Sequence, residues 1–173
     1  IEQPVIVRSS MGSSVAQRFA LDYPEKVKAL VLSAAFFSYQ ANPVVVEFGN
    51  DAIMPLTDPI DPDFAREFQV STLNQPVPEA FLDMVVDESM KVPARVWKGV
   101  FEGILERDIS NDIHRILAPT LIIWGDHDVF APRSDQEALV TTIPNAGLIV
   151  YEGHGHAVQW EDPERLGDDV PRC

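Results

Sequence analysis

Four short apolar runs divide the chain, and helical patterns fill much of the sequence between them. These runs are rich in β-branched residues, as is typical of strands buried on both faces of a parallel sheet. They lie at residues 5–7, 28–32, 119–124 and 146–151. The first two enclose a helical pattern at 13–21, and a second such pattern, at 134–142, lies between the last two. The order predicts an α/β fold, with a parallel sheet flanked by helices.

Residues 38–118 interrupt this pattern with short helical segments punctuated by prolines. An N-cap and proline signature, Asp61-Pro62, predicts a helix to about Leu73, and further helices are predicted to begin near Pro78 and Pro93. The stretch contains no strand pattern. It predicts a helical subdomain inserted between residues 1–37 and 119–173, which together form the sheet.

The first apolar run ends abruptly in Ser9-Ser10-Met11-Gly12, and a helical pattern follows at once. A strand that turns directly into a helix through a serine and a glycine has the local sequence of a nucleophile elbow. The alternative interpretation is an ordinary helix N-cap, because serine side chains satisfy the free N–H groups at a helix start.

Two later strand ends carry acidic and imidazole side chains. The third run leads into Asp126-His127-Asp128, and the fourth leads into a segment containing His154 and His156. Because the carboxyl ends of parallel strands lie at one edge of a sheet, these groups are expected to approach the serine turn. Two histidines near carboxylates also raise the question of a metal site, but no third ligand stands at a recognisable spacing. We therefore predict no metal.

Ser10-Met11-Gly12, the helix after it and the run KALVLSAAFF resemble the nucleophile region of the α/β-hydrolase fold superfamily. The segment around Asp128 resembles the acid loop of that family, a G-x-x-D followed by a proline. Gly155-His156, with Glu161-Asp162-Pro163-Glu164 behind it, resembles the family's histidine motif. The resemblance implies a catalytic triad of Ser10, Asp128 and His156, in the chain order expected for this fold.

The same resemblance implies further roles. The Met11 N–H would donate to the oxyanion, and His154 would neighbour the site. Asp126 is expected to bond loop backbone N–H groups, and His127 is expected to be a solvated loop residue. The helical insertion would be a cap over the active site. Its aromatic and methionine side chains either pack the cap or line an apolar pocket above Ser10.

The sequence departs from the family pattern in two ways. Arg8 stands where the family usually has the first glycine of G-x-S-x-G, at a close approach of strand and helix. The chain also opens on the nucleophile strand, so the resemblance covers the C-terminal half of the fold. The first strands and a second oxyanion donor are expected to lie outside it.

Charge and composition limit the partners. The formal net charge of −14 argues against binding nucleic acid or anionic membrane surfaces through positive charge. The single cysteine, Cys173, excludes an intrachain disulfide, and no stretch is long enough to span a membrane. A cytoplasmic location and no cofactor are expected, and oligomeric state is left open.

The expected function is hydrolysis of a small carboxylic ester or lactone through an acyl-enzyme. Two alternatives remain: a carbon–carbon bond hydrolase or perhydrolase of the same fold, and a non-catalytic homologue or fragment that only binds. Arg8 and the incomplete fold support the second. An aspartate in place of Ser10 would be needed for a haloalkane dehalogenase.

Overall fold

A four-stranded parallel sheet organises the computed structural model, which describes residues 3–170. The strands lie side by side in chain order: β1 (Val5–Ser9), β2 (Ala29–Ser33), β3 (Thr120–Gly125) and β4 (Ala146–Tyr151). All three neighbouring pairs are parallel, which confirms the predicted sheet. The central strands β2 and β3 are almost wholly buried, as their apolar sequences require.

Strand register places the carboxyl ends of the strands along one edge. Ser9 pairs with Ser33, Ser33 pairs with Ile123, and Gly125 pairs with Tyr151 two residues further along. The segments that follow β1, β3 and β4 therefore leave the sheet on the same side. That edge carries every side chain that the sequence singled out for chemistry.

The helices of residues 3–170 are α1 (Met11–Asp22), α2 (Pro43–Phe48), α3 (Pro62–Ser71), α4 (Glu79–Met90), α5 (Ala94–Glu106), α6 (Arg133–Thr142), α7 (Val158–Glu161) and α8 (Pro163–Asp169). Five helices occupy the positions that the sequence predicts, within a few residues at each end: α1, α3, α4, α5 and α6. Short 3₁₀ turns lie at Pro24–Lys26 and Ile113–Arg115, and a π-helical turn lies at Gly49–Ile53.

Helix α2 and the π-helical turn after it were not predicted. The Asn42 side chain caps α2 by accepting from the Val45 N–H at 3.1 Å, with Pro43 in the first turn. The cap signature is therefore present in the sequence. It is followed by three valines, whose β-branched side chains favour strands and hide the helix from a periodicity argument.

Two apolar cores cover the two faces of the sheet. On one face α1 and α6 pack on β2 and β3 through residues such as Ala16, Leu32 and Leu139. On the opposite face Val31, Ile123 and Tyr151 pack with Val158 of α7. The central strands β2 and β3 are thus shielded from water on both sides, as is typical of parallel strands.

A third core lies within residues 38–118, which we call the helical insertion. It is built from apolar residues of α2 to α5, and it also takes in Phe36 after β2 and Ala131 after β3. The insertion is therefore packed onto the sheet edge that carries the chemistry. Between residues 3 and 170, no helix combines the length and apolar character needed to cross a membrane.

Candidate active site

The turn between β1 and α1 holds Ser10 in a strained backbone conformation. Its φ of 53° and ψ of −126° lie in a region that non-glycine residues rarely occupy, at a cost of about 1–3 kcal/mol. Although Ser10 occupies the N-cap position, its side chain makes no capping hydrogen bond. The N-cap interpretation is therefore wrong for Ser10, and its hydroxyl is free for another partner.

Backbone and side-chain hydrogen bonds fix this turn to the next strand. The Ser10 N–H donates to the Ser33 carbonyl at 2.9 Å. The buried Ser13 hydroxyl lies 3.0 Å from the same carbonyl and 3.1 Å from that of Arg8. These hydrogen bonds hold Ser10 in its strained backbone conformation, because several contacts would have to break before the turn could relax.

Asp128 lies in the loop after β3, and its carboxylate is fully buried. One oxygen accepts from the backbone N–H groups of Phe130 and Ala131, at 2.8 and 2.9 Å. The other oxygen lies 2.8 Å from Nδ1 of His156. The loop backbone therefore holds the carboxylate through one oxygen, and the second oxygen faces the imidazole.

His156 joins the serine and the aspartate. Its Nε2 lies 2.7 Å from the Ser10 hydroxyl oxygen, and the residue is 8 % exposed. Because the carboxylate of Asp128 only accepts, Nδ1 carries the proton and Nε2 is left as the acceptor facing Ser10. This tautomer is the one required for removing the serine proton.

The other candidate acid and bases have different contacts. Asp126 accepts from the Gly153 N–H at 2.6 Å and pairs with exposed His127 at 2.8 Å. The hydrogen bond from His127 is the main cause that lowers the pKa of Asp126. His154 is bonded through Nδ1 to the Glu152 carbonyl at 2.9 Å. Asp126 thus bonds loop backbone as expected, and its bond to Gly153 joins the loop after β3 to the loop after β4.

Met11 is the first residue of α1, so its N–H has no acceptor within the helix. This N–H lies at the positive end of the α1 dipole, and Met11 directly follows Ser10 in the chain. This is the place where an oxyanion formed on a substrate would be stabilised. Among residues 3–170, no group of three or more His, Cys, Asp or Glu side chains could hold a metal ion.

Two aromatic rings that the sequence did not assign to the site pack around His156. The ring centroid of Phe130 lies 5.4 Å from that of His156, and Phe36 lies at 5.9 Å. Phe130 also contacts Phe48 and Phe68 of the helical insertion. The only signal available in the sequence was position, because both rings follow closely on strand ends.

A groove of about 810 Å³ lies between α1 and α5. Its walls include Met11 and Phe36 on the sheet side and Val100 and Ile104 on the insertion side. Phe36 also packs against Tyr39, with ring centroids 4.4 Å apart. The groove begins at Met11, directly after Ser10, but its lining includes none of Ser10, Asp128 and His156. Its size is within the range of small-molecule sites.

A parallel sheet whose strand ends carry a serine elbow, an acid loop and a histidine loop defines a protein of the α/β-hydrolase fold. Residues 2–163 match the family described as serine aminopeptidase, S33, and the chain belongs to that family.

The chain is also similar to curated proteins named as hydrolases, and solved structures share its fold. The 2-hydroxy-6-oxononadienedioate/2-hydroxy-6-oxononatrienedioate hydrolase of Paraburkholderia phymatum is 31% identical, over 96% of this chain and 60% of that protein. An esterase from Exiguobacterium antarcticum superposes with a TM-score of 0.83 at 18% identity, covering 96% of this chain and 64% of the other. The 2-hydroxy-6-oxo-6-phenylhexa-2,4-dienoate hydrolase of Rhodococcus sp. strain RHA1 gives 0.76 at 20% identity, over 97% and 62%. The chain thus spans about three fifths of the length of these proteins.

Proposed function

We propose that the protein is a serine hydrolase that attacks the carbonyl carbon of a small ester or lactone with Ser10. The observation that carries the proposal is the continuous hydrogen-bond chain from the Ser10 hydroxyl through His156 to Asp128, at 2.7 and 2.8 Å. Neutral serine is a weak nucleophile, and a base in hydrogen-bond contact is what activates it.

In the proposed mechanism, His156 Nε2 accepts the Ser10 proton as the serine oxygen bonds to the carbonyl carbon. The carbonyl oxygen becomes an oxyanion, which the Met11 N–H stabilises. The imidazolium formed is stabilised by Asp128. It then returns its proton to the departing alkoxide as the carbon–oxygen bond breaks, which leaves an acyl-serine.

Water resolves the acyl-enzyme by the same steps in reverse. His156 accepts a proton from the water molecule, the hydroxide oxygen bonds to the acyl carbon, and the Ser10 oxygen leaves with the proton that His156 holds. The products are an acid and an alcohol, or a hydroxy acid from a lactone. No group outside the three side chains and water is needed for the proton balance.

A carbon–carbon bond hydrolase is the second candidate, favoured by the names of the relatives. The proteins of Paraburkholderia phymatum and Burkholderia cepacia are named as hydrolases of 2-hydroxy-6-oxo dienoates. Such a substrate also presents a ketone carbon to a nucleophile. The two candidates therefore share the histidine-assisted attack and differ in the bond that breaks.

Alanine replacement of Ser10 in the full-length protein tests both candidates. Turnover is measured on a panel of p-nitrophenyl esters, on lactones and on 2-hydroxy-6-oxo-6-phenylhexa-2,4-dienoate, with Ser9→Ala as the matched control. We expect S10A to abolish turnover and S9A to retain it, and the preferred substrate separates the two candidates. Absence of turnover and of phosphonate labelling at Ser10 in the folded protein would favour a non-catalytic homologue.

A further inference from the structure

Glu161 holds two separate parts of the chain together beside the histidine loop, which we define as residues 152–157. It is the last residue of α7, one turn beyond His156. One carboxylate oxygen accepts from the Gly155 N–H at 2.7 Å. The other accepts from the Gln75 N–H at 2.8 Å and from the Asn74 N–H. All three donors are backbone groups.

The donors come from two elements that are far apart in sequence. Gly155 precedes His156 directly, whereas Asn74 and Gln75 lie in the connection between α3 and α4 of the helical insertion. Charged acceptors form stronger hydrogen bonds with backbone N–H groups than neutral ones do. No ion pair to Glu161 occurs among residues 3–170, and the described hydrogen-bond partners of its carboxylate are backbone N–H groups.

Further contacts lie along the same junction. The Ala157 N–H donates to the Thr72 carbonyl at 3.0 Å. The side-chain amides of Asn74 and Gln75 both donate to the Gly153 carbonyl, at 2.8 and 2.6 Å. The histidine loop is therefore bonded to the insertion on both sides of His156.

From these contacts we propose that Glu161 is a positioning residue that ties the histidine loop to Asn74 and Gln75 of the helical insertion. His156 is thereby held at hydrogen-bond distance from Ser10 only while this segment of the insertion is in place. The inference rests on the proposed function, because it assigns Glu161 an effect on the reaction that His156 performs.

The geometry explains why the effect should fall on the chemical step. Glu161 makes no described contact with Ser10 or with the groove, so it should not alter substrate binding directly. A displacement of His156 by about 1 Å can lower the rate of proton transfer by about 100-fold. An amide at position 161 has one acceptor oxygen in place of two, and it cannot serve Gly155 and the insertion together.

Glu161→Gln in the full-length protein is the test, with Glu164→Gln as its matched control. Glu164 is exposed, lies three residues further on and has no described side-chain hydrogen bond, so E164Q removes the same charge. For E161Q we expect kcat to fall about 10- to 100-fold, with KM within about twofold of wild type. We also expect faster solvent exchange of the His156 Nδ1 proton by NMR. E164Q should match wild type in both.

The outcomes distinguish this inference from the proposed function. An active wild type whose kcat and His156 resonance are the same in E161Q as in E164Q overturns the inference and leaves the function standing. A wild type without turnover overturns the function, and the proton exchange of His156 then decides the inference alone.

A second variant covers a failure of E161Q to fold. The substitution Glu161→Asp keeps the charge and both carboxylate oxygens but shortens the side chain by one methylene, so it cannot reach Gly155 and Gln75 together. It should reduce kcat several-fold at unchanged KM and speed exchange of the same proton. Wild-type values of both would overturn the inference.

Discussion

The Arg8 side chain lies across Gly12, where the β1 backbone passes the first turn of α1. A Cβ atom built on Gly12 would stand 3.3 Å from Cδ of Arg8 and 3.5 Å from its Cβ. The guanidinium reaches outward, where it bonds the Val7 carbonyl at 3.1 Å, and Arg8 is exposed. The arginine is accommodated because its side chain reaches outward and Gly12 has no side chain.

This contact predicts coupling between positions 8 and 12. Gly12→Ala gains helix propensity but presses on Arg8, so alone it should change stability little. With Arg8→Ala the pressure is removed, and G12A should then stabilise the protein by about 0.5–1 kcal/mol. Urea unfolding of the two single variants and the double variant measures the coupling. Strict additivity would show that Arg8 moves aside without cost.

The second prediction concerns Asp128. Asp128→Asn keeps an oxygen for the Phe130 and Ala131 N–H groups but can present an amide to Nδ1 of His156. The imidazole then takes the wrong tautomer, and kcat should fall by about 10⁴-fold while the fold is kept. Steady-state kinetics on the preferred substrate measures the loss.

Asp126→Asn is the control for this change, because Asp126 is an aspartate of the same loop with no contact to His156. It should retain most of the activity. If D126N lost as much activity as D128N, the assignment of the acid would have to be exchanged.

The third prediction concerns Gly155, which packs directly against the helical insertion. A Cβ atom there would meet the Thr72 carbonyl oxygen at 2.7 Å and the Asn74 nitrogen at 2.8 Å, and both are backbone atoms. Gly155→Ala should therefore push the histidine loop away, destabilise the protein by about 1–3 kcal/mol and reduce kcat. Urea unfolding and kinetics, measured on the same preparations, check both effects.

Gly147→Ala supplies the comparison for G155A. Gly147 lies in β4, and a Cβ atom there would have no neighbour within 4 Å. Alanine at this position should be neutral or slightly stabilising. Equal behaviour of the two variants would mean that the histidine loop can shift without cost.

The fourth prediction is a pH dependence at Tyr39. Burial raises the pKa of Tyr39 to about 12, although a hydrogen bond from Ser14 acts in the opposite direction. Above pH 10 the unfolded chain loses this proton first, so the folded state binds more protons and its stability falls as pH rises towards 12. Relative to Tyr39→Phe, wild type should lose about 1.4 kcal/mol per pH unit in this window.

Urea unfolding at about pH 9 and about pH 11 measures that loss. Tyr23→Phe controls for the removal of a phenol, because Tyr23 is exposed at the end of α1. Stability curves of wild type and Y39F that remain parallel between these pH values would contradict the prediction.

The site residues that lie at strand ends could be predicted from local sequence. Ser10, Asp128 and His156 could be selected because each follows an apolar strand, and parallel pairing brings such ends together. The role of Glu161 could not be selected in this way. Its partners at positions 74 and 75 are more than 80 residues away, and nothing near Glu161 in sequence indicates which backbone groups will face it.

Two further features could not be predicted from local sequence: helix α2 and the accommodation of Arg8. Asn42-Pro43 carries a cap signal, but the valines that follow favour a strand locally, and only packing in the insertion core decides for the helix. Arg8 looked damaging because its position normally admits glycine. Its side chain fits because Gly12 leaves room for it, and this match between strand and helix cannot be predicted from position 8 alone.

The positive φ of Ser10 bears on how this protein would evolve. Glycine adopts that conformation without penalty, so Ser10→Gly should raise thermal stability while removing the hydroxyl. A lineage released from selection for turnover would therefore drift readily to glycine at this position. Retention of serine across close homologues would record continuing selection for chemistry over robustness.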